Sequence, residues 1–262
     1  MNQNKIQLLG IAYDAKCSFM RGASQAPMKI REILHDGSSN FISENGIDLQ
    51  AAAEWVDAGD IEVGDYPDLL PRIKDKLDPD AKPIFLGGDH SISFPLVEAM
   101  AELHGPFSIL HFDAHTDLYD IFEGDRFSHA CPFARIMEKG LAKKLVQVGI
   151  RNVSKHHQEQ ADKFGVDIIT MREIGRMQDI QLEGPVYVSL DIDVFDPAFV
   201  PGVSHHEPGG MSPREFINAF HALDLDLIGA DIVEYNPFRD VADITAALAA
   251  KMLKEIAGKM LQ

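Results

Sequence analysis

The 262-residue chain carries 41 acidic and 24 basic residues, a formal net charge of −17, and 45% hydrophobic side chains. Nucleic acids and anionic membranes are bound through clustered Lys and Arg, so this balance argues against both as partners. A negative field instead favours cationic substrates and metal ions.

No apolar stretch approaches the ~20 residues that a membrane-spanning helix needs. The N-terminus lacks the apolar core of a signal peptide. The two cysteines, Cys17 and Cys131, are too few for a disulfide framework. We therefore expect a cytoplasmic protein, long enough for one large α/β domain or two small ones.

Short apolar runs alternate with amphipathic segments along the chain. After a strand-like segment at residues 7–11, apolar runs predict strands at residues 83–86, 107–112, 145–150, 185–190 and 227–233. Amphipathic periodicity predicts helices at residues 94–103, 133–141, 213–223 and 242–260. Ser212 and Glu215 have the spacing of a capping box at the third of these helices. The alternation predicts an α/β fold with a mainly parallel central sheet.

Acidic and imidazole side chains follow four of these predicted strands. They are His90 after the first run, Asp113, His115 and Asp117 after the second, Asp191 and Asp193 after the fourth, and Glu234 after the fifth. Because the carboxyl ends of parallel strands face one crevice, we expect these groups to meet at a single edge of the sheet.

The groups that follow the strands have the chemistry of a metal centre. In an extended segment alternate residues point to the same side, so Asp113, His115 and Asp117 can face one point, as can Asp191 and Asp193. Taken alone, each motif also fits an ordinary turn or helix cap. Taken together, four carboxylates would repel one another without cations. Oxygen-rich sites with some imidazole suit Mn²⁺, and the supply of ligands is sufficient for two ions about 3.5–4 Å apart.

The chain resembles the ureohydrolase family, which includes arginases, agmatinases and related guanidino- and formimino-hydrolases. The segments that carry the resemblance are LGGDHS at 86–91, HFDAHTD at 111–117, SLDIDVFDP at 189–197 and DIVEYNP at 231–237. Further segments resemble the plant-type arginases, at residues 21–27, 122–124, 127–130, 133–138 and 203–210.

The resemblance implies a single ureohydrolase domain over residues 1–262, with a three-layer α/β/α fold assembled into trimers or hexamers. It also implies two Mn²⁺ ions per subunit. One is held by His90, Asp113, Asp117 and Asp191. The other is held by Asp113, His115, Asp191 and Asp193, so that Asp113 and Asp191 bridge the pair.

The resemblance also assigns roles in cleaving a small cationic guanidino substrate. Glu234 binds the guanidinium, and the bland alternative is a strand-end carboxylate paired with Arg239. His129 shuttles a proton to the departing amine, and the alternative is a structural loop histidine. Asp117 accepts a hydrogen bond from the attacking hydroxide and later its proton. His205 is a candidate contact to the substrate, as is His206, and loop packing is the alternative for both.

The motifs specify the reaction more closely than the substrate. We favour L-arginine hydrolysis to L-ornithine and urea. Agmatine, or a guanidino acid other than arginine, is the alternative substrate. A remote alternative is that the protein is a non-catalytic metal-binding relative. Ser154 stands where the animal arginases have an acidic residue, which argues against their way of recognising the amino acid head group. Arg126 or Arg151 is a candidate partner for the carboxylate of arginine. Cys131 lies two residues from His129, but metal-hydroxide chemistry leaves no task for a thiol nucleophile.

Overall fold

The computed structural model describes residues 5–52 and 55–262. In these ranges the strands are β1 Ile6–Gly10, β2 Trp55–Asp60, β3 Lys82–Leu86, β4 Phe107–Phe112, β5 Ala142–Ile150, β6 Asp167–Thr170, β7 Pro185–Asp191 and β8 Asp226–Val233. The α-helices are α1 Ala26–His35, α2 Leu69–Lys76, α3 Ser93–His104, α4 Pro132–Glu138, α5 Lys155–Phe164, α6 Pro213–Ala222 and α7 Ile244–Met260.

The strands described form one eight-stranded sheet in the order β2-β1-β3-β8-β7-β4-β5-β6. Each pairing in it is parallel. The four strands predicted to deliver acidic and imidazole groups, β3, β8, β7 and β4, are consecutive neighbours at the centre of this sheet. Their carboxyl ends therefore lie side by side, where ligands bind in open α/β sheets.

Helices cover both faces of the sheet. Helices α1, α6 and α7 pack on one face, where Phe112 meets Phe216 with ring centroids 4.8 Å apart. Helices α2 to α5 pack on the other face, with Phe107 and Ile109 of the same strand. Because the side chains of a strand alternate between faces, β4 supplies both cores. The predicted three-layer α/β/α architecture is confirmed.

Most predicted element bounds are confirmed to within a few residues, and the differences have local causes. Helix α7 begins at Ile244 rather than at residue 242, because Ala242 and Asp243 have φ of 50° and 59°, outside the right-handed helical region. The predicted capping box is present: Ser212 Oγ accepts from the Glu215 N–H at 3.2 Å, and the Glu215 carboxylate accepts from the Ser212 N–H at 2.8 Å.

Within the described ranges, no helix combines the length and apolar character needed to span a bilayer.

Gly88, just after β3, is the point at which three segments approach closely. Its carbonyl accepts from the Glu234 N–H at 2.8 Å, and the Tyr13 carbonyl accepts from the Asp89 N–H at 2.9 Å. A Cβ added at Gly88 would lie 1.7 Å from the Tyr13 carbonyl oxygen. Glycine is therefore required here for the close approach of two backbones.

We predict that Gly88→Ala lowers stability by at least about 1–3 kcal/mol, because backbone must move to admit the methyl group. The measurement is the urea midpoint of unfolding at constant m-value. Gly175→Ala is the control, since a Cβ there meets nothing within 4 Å. Equal midpoints for the two variants would contradict the prediction.

Candidate metal centre and substrate pocket

The six predicted metal ligands meet at the carboxyl edge of the four central strands. Five of them are buried, and the His115 side chain is 31% exposed. Asp193 is turned toward Asp191 by a short helical turn, in which Asp191 Oδ1 accepts from the Asp193 N–H at 2.7 Å. The predicted convergence of these groups is confirmed, whereas their service as ligands stays a prediction.

The first group of donors surrounds His90. Its Nδ1 atom lies 3.2 Å from Asp113 Oδ2, 3.1 Å from Asp117 Oδ2 and 3.3 Å from Asp191 Oδ2. Nδ1 is buried, yet no described residue forms a hydrogen bond of good geometry with it. A buried polar atom normally has such a partner, so this one points to an ion.

The second group of donors surrounds His115. Its Nδ1 atom lies 3.4 Å from Asp113 Oδ1 and 3.1 Å from Asp193 Oδ2. Asp113 thus faces His90 with one carboxylate oxygen and His115 with the other. A carboxylate placed in this way can bridge two ions.

The electrostatics of the cluster also fit cations. Burial, followed by the Asp193 and Asp113 carboxylates, raises the pKa of Asp191 well above its usual range. Burial opposes a charge on His90, but the three facing carboxylates outweigh it and raise its pKa well above the usual value. Four clustered carboxylates are costly without counter-charge, and hard divalent ions that accept oxygen and imidazole supply it. The residues present therefore fit two metal ions.

A hydrogen-bond network fixes the orientation of His90. Its Nε2 atom lies 3.0 Å from Ser189 Oγ, and Ser189 donates to Asp231 Oδ1 at 2.6 Å. Tyr187 donates to the other oxygen of Asp231 at 2.9 Å. Because the Ser189 hydroxyl donates its hydrogen bond to Asp231, its oxygen accepts a hydrogen bond from the Nε2–H group of His90. The lone pair of His90 is thereby left on Nδ1, the atom that faces the carboxylates.

His111 was not predicted as a site residue, although it lies against Asp113. Gln147 Nε2 donates to the Thr116 carbonyl at 2.6 Å, which fixes the amide orientation, and also lies 3.0 Å from His111 Nδ1. The proton of His111 is therefore on Nε2, which donates to Asp113 Oδ2 at 2.9 Å. His111 orients a carboxylate and is not itself a ligand. The available signal was a histidine in a mainly apolar strand, two residues before Asp113.

A cavity of about 230 Å³ opens beside this cluster. It is lined by Ser18, His115, Thr116, Asp117, Tyr119, Phe122, His129, Ala130, Asn152, His157, Asp191, Asp193, His205 and Glu234. Four of the predicted metal ligands therefore line this pocket, together with His129, Glu234 and His205.

Glu234 and His129 form a buried pair at the pocket wall. Glu234 Oε1 accepts from the His90 backbone N–H at 2.9 Å and lies 2.9 Å from His129 Nδ1. His129 Nε2 lies 2.8 Å from Ser18 Oγ, a contact that sequence reasoning missed because Ser18 is in the distant N-terminal loop. Burial lowers the pKa of His129, but Glu234 outweighs it and raises the pKa to about 9.

The remaining histidine and arginine candidates divide between pocket and surface. His205 lines the pocket and stacks on His129 with ring centroids 5.4 Å apart. His206 is not among the lining residues described; its Nε2 donates to the Pro201 carbonyl at 2.9 Å. Arg239 contacts His206 and Met20 rather than Glu234, so the alternative pairing for Glu234 is not found.

The two arginines suggested as carboxylate partners are engaged elsewhere. Arg126 forms ion pairs with Asp120 and Glu138. Arg151 donates to the carbonyls of Asp193 and Val194. Neither lines the pocket as the structure describes it. The suggestion is corrected. The Arg126 guanidinium pairs with carboxylates and the Arg151 guanidinium with backbone carbonyls, so both are engaged outside the pocket.

Cys131 also lies outside the pocket lining. Its thiol contacts the Asp125 carbonyl at 3.6 Å, and burial raises its pKa to about 12. A thiol with so high a pKa is a poor nucleophile at neutral pH, which agrees with the rejection of a cysteine mechanism.

Comparison with known proteins identifies the family. A model described as "Arginase family" matches residues 4–258. The chain belongs to the arginase family. It is 44% identical over 274 residues to arginase 1, mitochondrial, of Arabidopsis thaliana, with 97% of this chain and 80% of that protein covered. The solved structure of the arginase from Medicago truncatula matches with a TM-score of 0.92 and 45% identity, covering 98% of this chain and 87% of that one.

Other branches of the arginase family are also similar to this chain. An agmatinase of Bacillus cereus is 32% identical over 266 residues, covering 97% of this chain and 91% of that protein. The higher identity to plant arginases confirms the predicted likeness to the plant-type branch. The Arabidopsis protein is named as mitochondrial, so the predicted cytoplasmic location of this chain stays a prediction.

We predict that Ser189→Ala weakens metal binding by about 10–100-fold while the protein stays folded, because the proton position of His90 is no longer fixed. The measurement is a metal titration of the metal-free protein by calorimetry. Ser108→Ala is the control, since Ser108 is a buried serine near the amino end of the neighbouring strand β4. Unchanged affinity in Ser189→Ala would show that the network does not support the site.

Proposed function

We propose that this protein is a binuclear manganese ureohydrolase, one domain over residues 1–262, that hydrolyses L-arginine to L-ornithine and urea. The observation that carries the proposal is the position of Glu234: a buried carboxylate on the wall of a pocket that also exposes the metal-ligand cluster. Identity above 40% to plant arginases supports the substrate.

His90, Asp113, Asp117 and Asp191 would hold one metal ion, and Asp113, His115, Asp191 and Asp193 the other. When bound, the ions would supply hydroxide at neutral pH, a nucleophile strong enough for the resonance-stabilised guanidinium carbon. Asp117 lies both in the ligand cluster and on the pocket wall. Its carboxylate is placed to accept a hydrogen bond from the nucleophile and then its proton.

Glu234 binds the guanidinium of the substrate. Its Oε1 atom is held by the His90 N–H, while Oε2 is buried without a hydrogen-bond partner in the described part of the chain. Two N–H groups of a guanidinium match the two oxygens of one carboxylate. The substrate therefore satisfies an atom that the protein leaves unpaired.

His129 donates the proton that the departing amine needs. With Glu234 facing it, the imidazole has a pKa of about 9 and carries a proton at neutral pH. A cationic substrate on Glu234 offsets the charge that raises this pKa, so the proton becomes easier to release. Ser18 Oγ, 2.8 Å from Nε2, holds the ring in the pocket.

Recognition of the arginine head group rests on neutral groups of the pocket lining. Asn152, Tyr119 and Ser18 line the pocket and carry donors for a carboxylate. His205 is placed to contact the aliphatic part of the substrate. One observation favours agmatine as a second candidate: no Lys or Arg is among the lining residues described, and agmatine has no carboxylate to neutralise.

The deciding experiment is a side-by-side assay of the manganese-loaded protein on L-arginine, agmatine, guanidinobutyrate and formiminoglutamate. We expect the highest kcat/KM for L-arginine, by at least about tenfold over agmatine, the effect of one hydrogen bond to a charged carboxylate. A higher kcat/KM for agmatine than for L-arginine would show that agmatine is the substrate. No urea or formamide from any compound would favour a non-catalytic metal-binding relative.

A pair of variants separates metal binding from substrate binding. Asp193→Ala should lose metal and activity together. Glu234→Gln should keep both ions but lower kcat/KM by at least about 30-fold, since removing one member of a buried charge pair costs about 2–5 kcal/mol. Metal content by elemental analysis and urea release are measured on the same samples. The exposed Asp162→Ala is the control, and metal loss in Glu234→Gln would overturn its role as the substrate carboxylate.

The cytoplasmic location and an assembly of trimers or hexamers also belong to this proposal. Exposed apolar side chains close together in sequence, Phe238, Val241 and Ile244, support an interface between copies of the chain. Sedimentation of the manganese-loaded protein as a monomer would contradict the assembly.

A further inference from the structure

We propose that Cys17, His129 and Glu234 form a third metal site, distinct from the binuclear one, that takes Zn²⁺ or another thiophilic divalent ion and inhibits the enzyme. The inhibition rests on the proposed function, because two of the three residues are the substrate carboxylate and the proton donor assigned above. The binding itself does not depend on that function.

The geometry brings three different ligand types together. One ligand atom from each of Cys17, His129 and Glu234 lies within 4.8 Å of the other two. Zinc bonds of about 2.0–2.3 Å in a tetrahedral site place donors about 3.3–3.7 Å apart, so side-chain shifts of about 1 Å close the site. Cys17 is on a half-buried loop, which permits such shifts.

A second observation, independent of the distances, points to a ligand. Glu234 is 4% exposed, and its Oε2 atom has no hydrogen-bond partner among the residues described. An unpaired carboxylate oxygen in the interior is costly. A metal ion satisfies it, just as a guanidinium does, so the two compete for one group.

The donor set distinguishes this site from the binuclear one. Thiolate, imidazole and carboxylate are a combination that zinc accepts, with a fourth position open to water. The predicted manganese ligands contain no sulfur, and hard ions such as Mn²⁺ favour oxygen. Selection for a thiophilic ion therefore comes from Cys17.

The charges also balance. Burial, followed by the Glu234 carboxylate, raises the pKa of Cys17 to about 12, so the free thiol stays protonated and unreactive. Binding of the ion releases two protons to solvent, one from the Cys17 thiol and one from the protonated His129 ring. One thiolate and one carboxylate then match the two charges of the metal.

The first test is spectroscopic and does not use activity. Cd²⁺ is titrated into the manganese-loaded full-length protein, and the ultraviolet charge-transfer band between thiolate and cadmium is followed. We expect the band in the unmodified protein and in Cys131→Ser, and its loss in Cys17→Ser. No band, or an equal band in Cys17→Ser, would overturn the site, because exchange at the binuclear centre involves no sulfur.

A second measurement needs no variant. Alkylation of Cys17 by iodoacetamide, mapped by mass spectrometry under mildly alkaline conditions, should slow by at least about tenfold when Zn²⁺ is added, because a ligated thiolate is shielded. Mg²⁺ in place of Zn²⁺ is the control, because a hard ion does not bind the thiolate. Equal rates for Cys17 with and without Zn²⁺ would overturn the proposal.

The inhibition is tested by urea release at fixed manganese. Zn²⁺ should raise the KM for the guanidino substrate. The inhibition constant of Zn²⁺ should be at least about tenfold larger in Cys17→Ser than in Cys131→Ser, because a direct ligand is lost. Equal inhibition of the two variants would overturn the regulatory role. A cadmium band in a protein that hydrolyses no guanidino compound would instead overturn the proposed function and leave the third site intact.

Discussion

The concentration of buried negative charge at one edge of the sheet governs the rest of this structure. Asp113, Asp117, Asp191 and Asp193 meet within a few ångströms, with His90 and His115 between them. Such a cluster is unfavourable in a protein interior unless cations offset it. Under the proposed function, the same carboxylates would hold the ions on which the chemistry depends, and those ions would offset the cost.

The surrounding polar groups hold these ligands in fixed orientations. Ser189 and Asp231 fix which nitrogen of His90 carries the proton, and Gln147 does the same for His111. These partners lie inside the sheet, on neighbouring strands of fixed register. Ligand orientation is therefore tied to strand pairing, and a shift in one strand would misplace donors on the next.

Two of the site residues have an unusual backbone conformation. Asp117 and Glu234 are among the five non-glycine residues with positive φ in the described ranges, at 47° and 64°. Such conformations cost about 1–3 kcal/mol each and are kept where the surroundings enforce them. Here they turn the chain sharply after β4 and β8, which presents the Asp117 and Glu234 carboxylates to the pocket.

The sequence by itself determined the architecture and the metal-ligand cluster. Alternation of apolar runs with amphipathic segments specifies a parallel sheet between helices, and donors directly after β3, β4, β7 and β8 must lie on its carboxyl edge. These inferences succeed because periodicity and strand polarity are local properties. Strand polarity alone puts the predicted ligands on one edge of the sheet. The strand order, which the sequence does not give, then makes these four strands neighbours.

Tertiary structure alone decided which distant groups complete the pocket. Ser18 reaches His129 across 111 positions, and Cys17 joins His129 and Glu234 from the same loop. It also decided that Arg126 and Arg151 turn to other partners. Such contacts depend on how loops fold back over the sheet edge and on which of several charged neighbours lies nearest. No periodic pattern in the sequence predicts the path of a loop or the nearest charged neighbour of a side chain.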